Sequence, residues 1–351
     1  MNEVEFSSSK EENFTLKNRR LWLGITFSIA CLGLIFWQID VKRIVIALRE
    51  ANWRALPIII GSYMAFMFLR AWRWQIMLGS KVRYWPVFHA QSIGYLVTNL
   101  LPFRLGDLGR AYLVGQQPGL SGLQALSSVI LERVLDMLII VFFFAFSLTM
   151  VPKMPPVIAQ AGKTFAVLSI LFFCMMLLIV LQRSRALTFT KRVLGQISGM
   201  RKEAWLRRVE LFFDGLQSLH QWRQLAVIVG LSFIVWMAGA AAFYWGISAF
   251  WSEVTWPAAI FTLCVAIFGV SIPSSPSAIG VFHASVWLAL SVFSVTGEQA
   301  LGFALVYHAL TFIIVLILGS IGLWKNGQTL AENSTTTRRL LAKRWSGSPK
   351  T

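Results

Sequence analysis

The feature that most limits how this chain can fold is the recurrence of long apolar stretches with only short polar gaps between them. A helix of roughly 20 apolar residues, rising about 1.5 Å per residue, spans the ~30 Å hydrocarbon core of a bilayer. Continuous stretches of this kind occupy residues 21–39, 56–78, 123–150, 164–181, 225–250 and 301–324. They predict an all-α polytopic membrane protein with six continuous membrane-crossing helices.

The charge distribution fits a membrane protein better than a nucleic-acid-binding protein. Hydrophobic residues make up 56% of the chain and charged residues 13%, with a formal net charge of +17. The Lys and Arg residues crowd into segments that flank the apolar stretches, where membrane topology accounts for them. No polar segment is long enough to bury a core of its own. We therefore expect membrane lipid as a partner and no nucleic acid.

The N-terminal stretch shares one property with a signal sequence, because Arg19 and Arg20 precede an apolar run that begins at Leu21. The leader before that run contains Glu3, Glu5, Glu11 and Glu12, and no convincing small-x-small cleavage site follows. We expect the segment to stay in the protein as its first span, after a cytoplasmic tail at residues 1–20.

The sequence contains no signature of a cofactor, metal or catalytic site. Cys31, Cys174 and Cys264 each lie within an apolar stretch and have no paired spacing for a metal or a disulfide. His-Glu-x-x-His, Gly-x-Ser-x-Gly, the phosphate-binding Gly-Lys loop and Gly-x-Gly-x-x-Gly are all absent. We expect no cofactor and no enzymatic activity.

Two further apolar regions are broken by helix-disrupting residues. Residues 87–114 contain Pro102 and Gly106, and residues 258–293 contain Pro276 and Gly280. Each half is about 15 residues long, or roughly 22 Å, which is too short to cross the hydrocarbon core. We expect both regions to form re-entrant helical hairpins.

Basic residues predict the topology. They are dense in the N-terminal tail, in residues 183–223 and in the tail at residues 325–351. We therefore expect a protein of the inner membrane with all three segments on the cytoplasmic side. Residues 40–54 are also basic but fall outside. Their helical apolar spacing predicts an amphipathic helix on the outer surface, with a counterpart at 203–222 on the inner surface.

An internal repeat relates the two halves of the domain at residues 21–324. Pro276 follows Pro102 by 174 residues, and Gln299 follows Gln124 by 175. Repeat one covers residues 21–150 and repeat two 164–324, each with three crossings, a surface helix and a broken hairpin. Because three is odd, the repeats would be inverted, which is a transporter pattern with the substrate site at the breaks.

Between Ala51 and Lys202 the only acidic residues in the sequence are Asp107, Glu132 and Asp136. Asp107 follows Gly106, and Glu132 and Asp136 share one helix face. In one interpretation Arg70, Arg73, Arg104, Arg110 and Arg133 surround a hydrated cavity that binds a phosphate. In the other, pairs such as Arg133–Asp136 and Arg104–Asp107 lock the hairpin and never touch substrate.

Repeat two carries a weaker polar set. Tyr307 and His308 are the equivalents of Glu132 and Arg133, and His283 lies just after Gly280. A histidine here could relay protons or could hydrogen-bond across helices. The serines around the break either satisfy freed backbone groups or bind a sugar or glycerol hydroxyl.

Several motifs resemble the flippase-like family, which is the membrane domain of lysylphosphatidylglycerol synthases and also occurs as a free-standing protein. They are Leu101-Pro102-Phe-Arg104-Leu-Gly106-Asp107-Leu-Gly-Arg110, Leu131-Glu132-Arg133-Val-Leu-Asp136, Pro276-Ser-Ala-Ile-Gly280-Val-Phe-His283 and Arg70-Ala-Trp-Arg73. The similarity covers about residues 21–324. It implies a bacterial or archaeal inner-membrane protein that moves or handles lipid, such as aminoacylated phosphatidylglycerol or, in relatives, polyprenyl-linked sugars.

The sequence departs from the family pattern at three places. Asp107 stands where Glu is more usual, and Ser277 and Ala278 replace glycines that are common in the second hairpin. The sequence ends at Thr351 without the soluble domain that aminoacylates lipid, so the resemblance does not imply that activity.

The sequence is compatible with three functions. The first is binding and translocation of a lipid or lipid-linked headgroup. The second is transport of a solute or ion-coupled substrate, and the third is an accessory role beside a lipid-modifying or glycosyl-transferring enzyme. The residues expected to bind substrate are Arg70, Arg73, Pro102, Arg104, Gly106, Asp107, Arg110, Glu132, Arg133, Asp136, Pro276, Gly280, His283, Tyr307 and His308.

The inverted topology predicts opposite labelling of two loops. A single cysteine beside Trp251 should react with a membrane-impermeant reagent added to intact cells, whereas one beside Tyr84 should react only after the membrane is opened. Labelling of both cysteines from the same side would contradict the inverted repeat.

Overall fold

The computed structural model describes residues 41–79, 82–101, 105–148, 222–272 and 275–345, together with single positions between 33 and 211. Its helices are α1 (Val41–Glu50), α2 (Leu56–Leu78), α3 (Tyr84–Leu100), α4 (Leu105–Val114), α5 (Gly122–Leu148), α6 (Trp222–Ser248), α7 (Trp256–Ser271), α8 (Val281–Ser291) and α9 (Gly297–Trp345). Within these residues no strand occurs, which confirms the all-α prediction. The spans expected at 21–39 and 164–181 and the surface helix at 203–222 lie largely outside the described residues.

Helices long and apolar enough to cross a membrane are found where the sequence predicts them. In the described ranges there are three, Trp53–Leu78, Arg223–Ser248 and Gly297–Gly327. α5 also covers its predicted stretch, with 27 helical residues that span about 40 Å. Its apolar run is interrupted by the charged residues Glu132, Arg133 and Asp136, so its composition is less apolar than that of the three other helices. The chain is therefore a helical membrane protein.

α9 continues well beyond its apolar part. The helix runs without a break from Gly297 to Trp345. The expected boundary between a membrane domain ending at 324 and a separate tail at 325 therefore falls inside a helix. No proline follows Trp324 in this segment to end it earlier.

α5 and α9 begin with the same kind of side-chain cap. The Gln124 N–H donates to Ser121 Oγ (3.1 Å), and the Ser121 N–H donates to Gln124 Oε1 (2.9 Å). The Gln299 N–H donates to Thr296 Oγ1 (3.4 Å), and that hydroxyl donates to Gln299 Oε1 (3.1 Å). Each glutamine satisfies groups that a helix start leaves unpaired.

α2 and α6 pack side by side in opposite directions. The Asn52 N–H, just before α2, donates to the Ala249 carbonyl after α6 (2.8 Å). At the other end, Gln224 Nε2 donates to the Ile76 carbonyl (3.1 Å). The start of each helix therefore lies beside the end of the other.

α3 and α4 form the first broken region and fold back on each other. Val87, near the start of α3, and Val114, at the end of α4, belong to one apolar cluster, so the two outer ends of the pair lie together. A Cβ added at Gly106 would overlap the Gly94 carbonyl and the Thr98 hydroxyl, so the two backbones touch. The residues between the helices, including Pro102 and Arg104, lie outside the described part of the chain.

α7 and α8 form the second broken region in a similar way. The ring of Phe261, early in α7, lies 5.7 Å from the ring of Phe293, just after α8. Late in α7, Gly269 faces Ser285 of α8 so closely that a Cβ would overlap its hydroxyl. α8 therefore runs back along α7.

The inner ends of the two broken regions meet. The Ser277 hydroxyl, between α7 and α8, donates to the carbonyl of Asn99 in the last turn of α3 (2.9 Å). That carbonyl has no partner within its own helix because the helix stops, so the hydroxyl supplies one. The two breaks therefore share one place in the bundle.

α1 is the amphipathic helix expected at residues 40–54. Ile44 is buried and Leu48 partly buried, both against a cluster that contains Leu301 of α9. Arg43 Nη1 lies 3.6 Å from Glu298 Oε1. This apolar and ionic contact fixes α1 beside the start of α9.

The contact between Gly94 and Gly106 predicts a stability effect. Gly106→Ala forces a Cβ into the α3 backbone and should lower the unfolding free energy by about 1–3 kcal/mol or more. Gly109→Ala on the same helix is a matched control, because a Cβ there meets nothing within 4 Å. Thermal unfolding of the purified protein in detergent measures both, and equal stability of the two variants would contradict the close packing.

Candidate functional site

Arg70 and Arg73 lie on one face of α2 that points into the bundle. They are three residues apart, and their exposed fractions are 3% and 0%. Burial of two guanidinium groups within an otherwise apolar helix costs free energy unless anionic partners compensate. The position of these arginines therefore requires buried carboxylates on a neighbouring element.

Glu132 and Asp136 of α5 supply those carboxylates. They are four residues apart on one face of α5, and their exposed fractions are 0% and 3%. Glu132 lies ten residues and Asp136 fourteen residues from the helix start at Gly122, near the middle of α5. The charges thus lie deep in the bundle.

Arg70 binds both carboxylates. Its Nε and Nη2 donate to Glu132 Oε1 at 3.1 and 2.8 Å, and Nη2 also donates to Asp136 Oδ2. The guanidinium lies over the rings of Phe66, Tyr95 and Trp236, with 5.4 to 5.6 Å to each centroid. The aromatic rings keep this ion pair away from lipid.

Arg73 anchors the same carboxylates to α6. Its Nη1 donates to Asp136 Oδ1 (2.8 Å) and to Ser232 Oγ (3.0 Å). Trp236 Nε1 donates to Asp136 Oδ1 as well (3.0 Å). Asp136 therefore joins α2, α5 and α6 through one carboxylate.

Arg110 extends the network to α4. Its Nη1 donates to Glu132 Oε2 (2.9 Å) and its Nε to Asp107 Oδ1 (3.1 Å). The guanidinium lies 4.6 Å from the ring centroid of Trp74, whose indole N–H donates to Ser128 Oγ. Arg110 thus connects the buried carboxylate Glu132 with the more accessible Asp107.

Asp107 and Arg133 form the accessible edge of the network. Arg133 Nη2 donates to Asp107 Oδ1 (2.7 Å) and Nε to Asp107 Oδ2 (3.1 Å), in a two-pronged contact. Their side chains are 22% and 28% exposed, unlike the rest of the network. This edge is where another anion could exchange with the Asp107 carboxylate.

The network carries a surplus of positive charge. Its members in the described ranges are four arginines (Arg70, Arg73, Arg110, Arg133) and three carboxylates (Asp107, Glu132, Asp136), which leaves a formal charge of +1. Arg73 Nε is buried without a hydrogen-bond acceptor among the described residues, whereas Arg73 Nη2 lies 3.4 Å from Glu132 Oε1 and Arg110 Nη2 lies 3.0 Å from Asp107 Oδ1. The net positive charge of the network suits an anion.

The predicted residues around the second broken region form a separate cluster of histidines and aromatic rings. The rings of His283 and His308 lie 5.1 Å apart, and the Phe282 ring lies 5.2 Å from His308 and 6.3 Å from Tyr307. Pro276 begins the 3-10 turn before α8, and Gly280 caps α8 with φ of 88°. No acidic residue of the described chain joins this cluster in an ion pair.

The structure thus brings seven of the predicted residues into one network and places Gly106 in a helix contact instead. Sequence reasoning missed Tyr95, Ser232 and Trp236, which line or bind the network. Ser232 and Trp236 lie four residues apart on a span, so their polar atoms on one helix face were the available signal. In the described part, no group of three or more His, Cys, Asp or Glu side chains is placed to hold a metal ion.

Comparisons with known proteins agree with the resemblance seen in the motifs. The family model described as "Lysylphosphatidylglycerol synthase TM region" matches residues 21–319. A relative described as "UPF0104 membrane protein", from Methanothermobacter thermautotrophicus, is 27% identical over 313 residues, which cover 86% of this chain and 92% of the relative. No solved structure matches the chain significantly.

The two kinds of carboxylate in the network predict different effects on stability. Asp136→Asn leaves buried arginines without their counter-charge and should cost about 3–5 kcal/mol of unfolding free energy. Asp107→Asn, at the accessible edge, should cost clearly less because water can reach Arg133. Thermal unfolding in detergent compares the two, and an equal or larger loss for Asp107→Asn would contradict the assigned burial.

Proposed function

This chain belongs to the lysylphosphatidylglycerol synthase TM region family, and from that membership we propose that it binds a lipid or lipid-linked headgroup and moves it across the cytoplasmic membrane. One observation carries the proposal, the arginine–carboxylate network with formal charge +1. Within the described chain it is accessible along Asp107 and Arg133. A headgroup phosphate has the charge and the acceptor oxygens that this edge lacks.

The surface beside the accessible edge supports a lipid rather than a fully water-soluble ligand. Leu105, Leu108 and Tyr112 lie on one face of α4, and their exposed fractions are 41%, 54% and 66%. Asp107 lies on the same short helix between the first two. Acyl chains can therefore stay against this apolar face in the bilayer while the headgroup contacts Arg133.

The proposed binding step is an exchange of anions. Asp107 holds Arg133 through two hydrogen bonds and Arg110 through one. A phosphate that displaces Asp107 would take over these donors, since a guanidinium binds phosphate in the same two-pronged geometry as it binds a carboxylate. The buried arginines Arg70 and Arg73 remain paired with Glu132 and Asp136 and do not take part in the exchange.

We further propose that the two broken regions are re-entrant hairpins in inverted repeats. The equivalent glutamine caps of α5 and α9 support this, as does a second pair of positions 175 residues apart. Gly94 of α3 packs against Gly106 and Arg110, and Gly269 of α7 packs against the equivalent Val281 and Ser285. Both tails would then lie in the cytoplasm, as the basic residues predict.

A lipid-translocation assay tests the proposed function. The protein is reconstituted in phosphatidylcholine vesicles with labelled phosphatidylglycerol, and the loss of label from the inner leaflet is followed. Arg133→Gln should slow translocation roughly tenfold, which corresponds to about 1.4 kcal/mol, a typical loss for one charge-assisted hydrogen bond.

Arg83→Gln is the matched control, because Arg83 is an exposed arginine at the start of α3, away from the network. Its translocation rate should equal that of the unchanged protein. Absence of protein-dependent translocation would reject the proposal. Native mass spectrometry that finds a retained water-soluble anion instead of lipid would favour a solute transporter.

A further inference from the structure

The turn that precedes α8 has an unusual backbone. Ser277 and Ala278 have φ of 57° and 52°, in the left-handed region that glycine adopts most readily. Residues with side chains in this region keep it when surrounding contacts hold them there. The contacts around this turn therefore determine its conformation.

One hydrogen bond holds the turn against the first broken region. The Ser277 hydroxyl donates to the Asn99 carbonyl of α3 (2.9 Å). This hydrogen bond joins the two broken regions.

A histidine binds the other side of the turn. His283 Nδ1 accepts a hydrogen bond from the Gly280 N–H (3.4 Å), so in this arrangement Nδ1 carries no proton. The His283 and His308 rings are 5.1 Å apart, and Phe282 contacts both rings edge-on. His283 is 6% exposed, so a charge on it has little access to water.

The elements packed around the pair bring few ionisable groups to it. Tyr63 of α2 contacts Tyr307 beside His308 (6.3 Å between ring centroids). The other ionisable groups of the neighbouring helices are Arg70 and Arg73 on α2, Tyr84, His89 and Tyr95 on α3, Arg223 and Tyr244 on α6, Cys264 on α7, Lys42, Arg43, Arg49 and Glu50 on α1, and Glu298 and Lys325 in residues 297–327 of α9. Glu298 pairs with Arg43, and His308 follows it by ten residues, about 15 Å along the helix.

We propose that His283 and His308 form a proton-binding site that controls the contact between the two broken regions. A proton on His283 Nδ1 removes the acceptor of the Gly280 N–H. A proton on either ring brings positive charge into an apolar cluster, and protons on both rings repel each other. Binding of a proton therefore releases the strained turn from Asn99.

The biological role of this proton site rests on the proposed function, because a proton that opens the contact would couple translocation to a proton gradient. The opening itself is independent of translocation and can be measured without it. Failure of transport and failure of the proton switch are thus separate results.

Pulsed electron paramagnetic resonance measures the opening. Spin labels are placed at Leu100→Cys and Ile279→Cys, two exposed positions beside the contact, in a background with Cys31, Cys174 and Cys264 changed to Ala. Lowering the pH from about 8 to about 5.5, across the ordinary titration range of histidine, should shift most of the distance distribution to longer values. An unchanged distribution would overturn the proposal.

Two further samples make the result specific. In His283→Gln/His308→Gln, and in His283→Asn/His308→Asn if the first double variant folds poorly, the short distance should persist at both pH values. A label pair at Phe68→Cys and Phe233→Cys, on the packed helices α2 and α6, should not respond to pH in any variant. A pH response of the labels at positions 100 and 279 that persists in the variants without the two histidines would also overturn the proposal.

Discussion

The need to neutralise charge inside lipid governs the rest of this structure. Arg70 and Arg73 are buried in a helix that could otherwise cross the membrane as an apolar rod, and α5 has to present Glu132 and Asp136 at the same depth. Because Arg73 also binds Ser232 and Asp136 also binds Trp236, the position of α6 follows from the same requirement. Three helices and the start of α4 are thereby placed around one set of ion pairs.

The sequence predicts more of the fold than of the site. Apolar length located α2, α5, α6 and the membrane part of α9, because lipid imposes one length scale on every span. The i, i+4 spacing of Glu132 and Asp136 predicted a common face. It could not predict that Arg70 would bind both carboxylates or that Trp236 would donate a hydrogen bond to Asp136. Contacts between residues more than sixty positions apart depend on how the helices pack. The family membership was predicted from motifs and is confirmed, whereas the roles of individual residues stay predictions.

The two halves of the chain share backbone contacts and helix caps but differ in the side chains around their broken regions. Gly94 and Gly269 both let a short helix fold back on its neighbour, and Gln124 and Gln299 both cap the helix that follows. The first half surrounds its break with ion pairs, and the second surrounds its break with aromatic rings and two histidines. The two broken regions are therefore similar in backbone and different in charge.

The uninterrupted length of α9 links the membrane interior to its surroundings. Its 49 residues correspond to about 73 Å, far more than the hydrocarbon thickness, and His308 lies in its first quarter. A helix without a proline or a break transmits tilt as a stiff lever. A small change in the tilt of α9 where His308 contacts His283 of α8 would therefore displace Trp345 by a much larger distance.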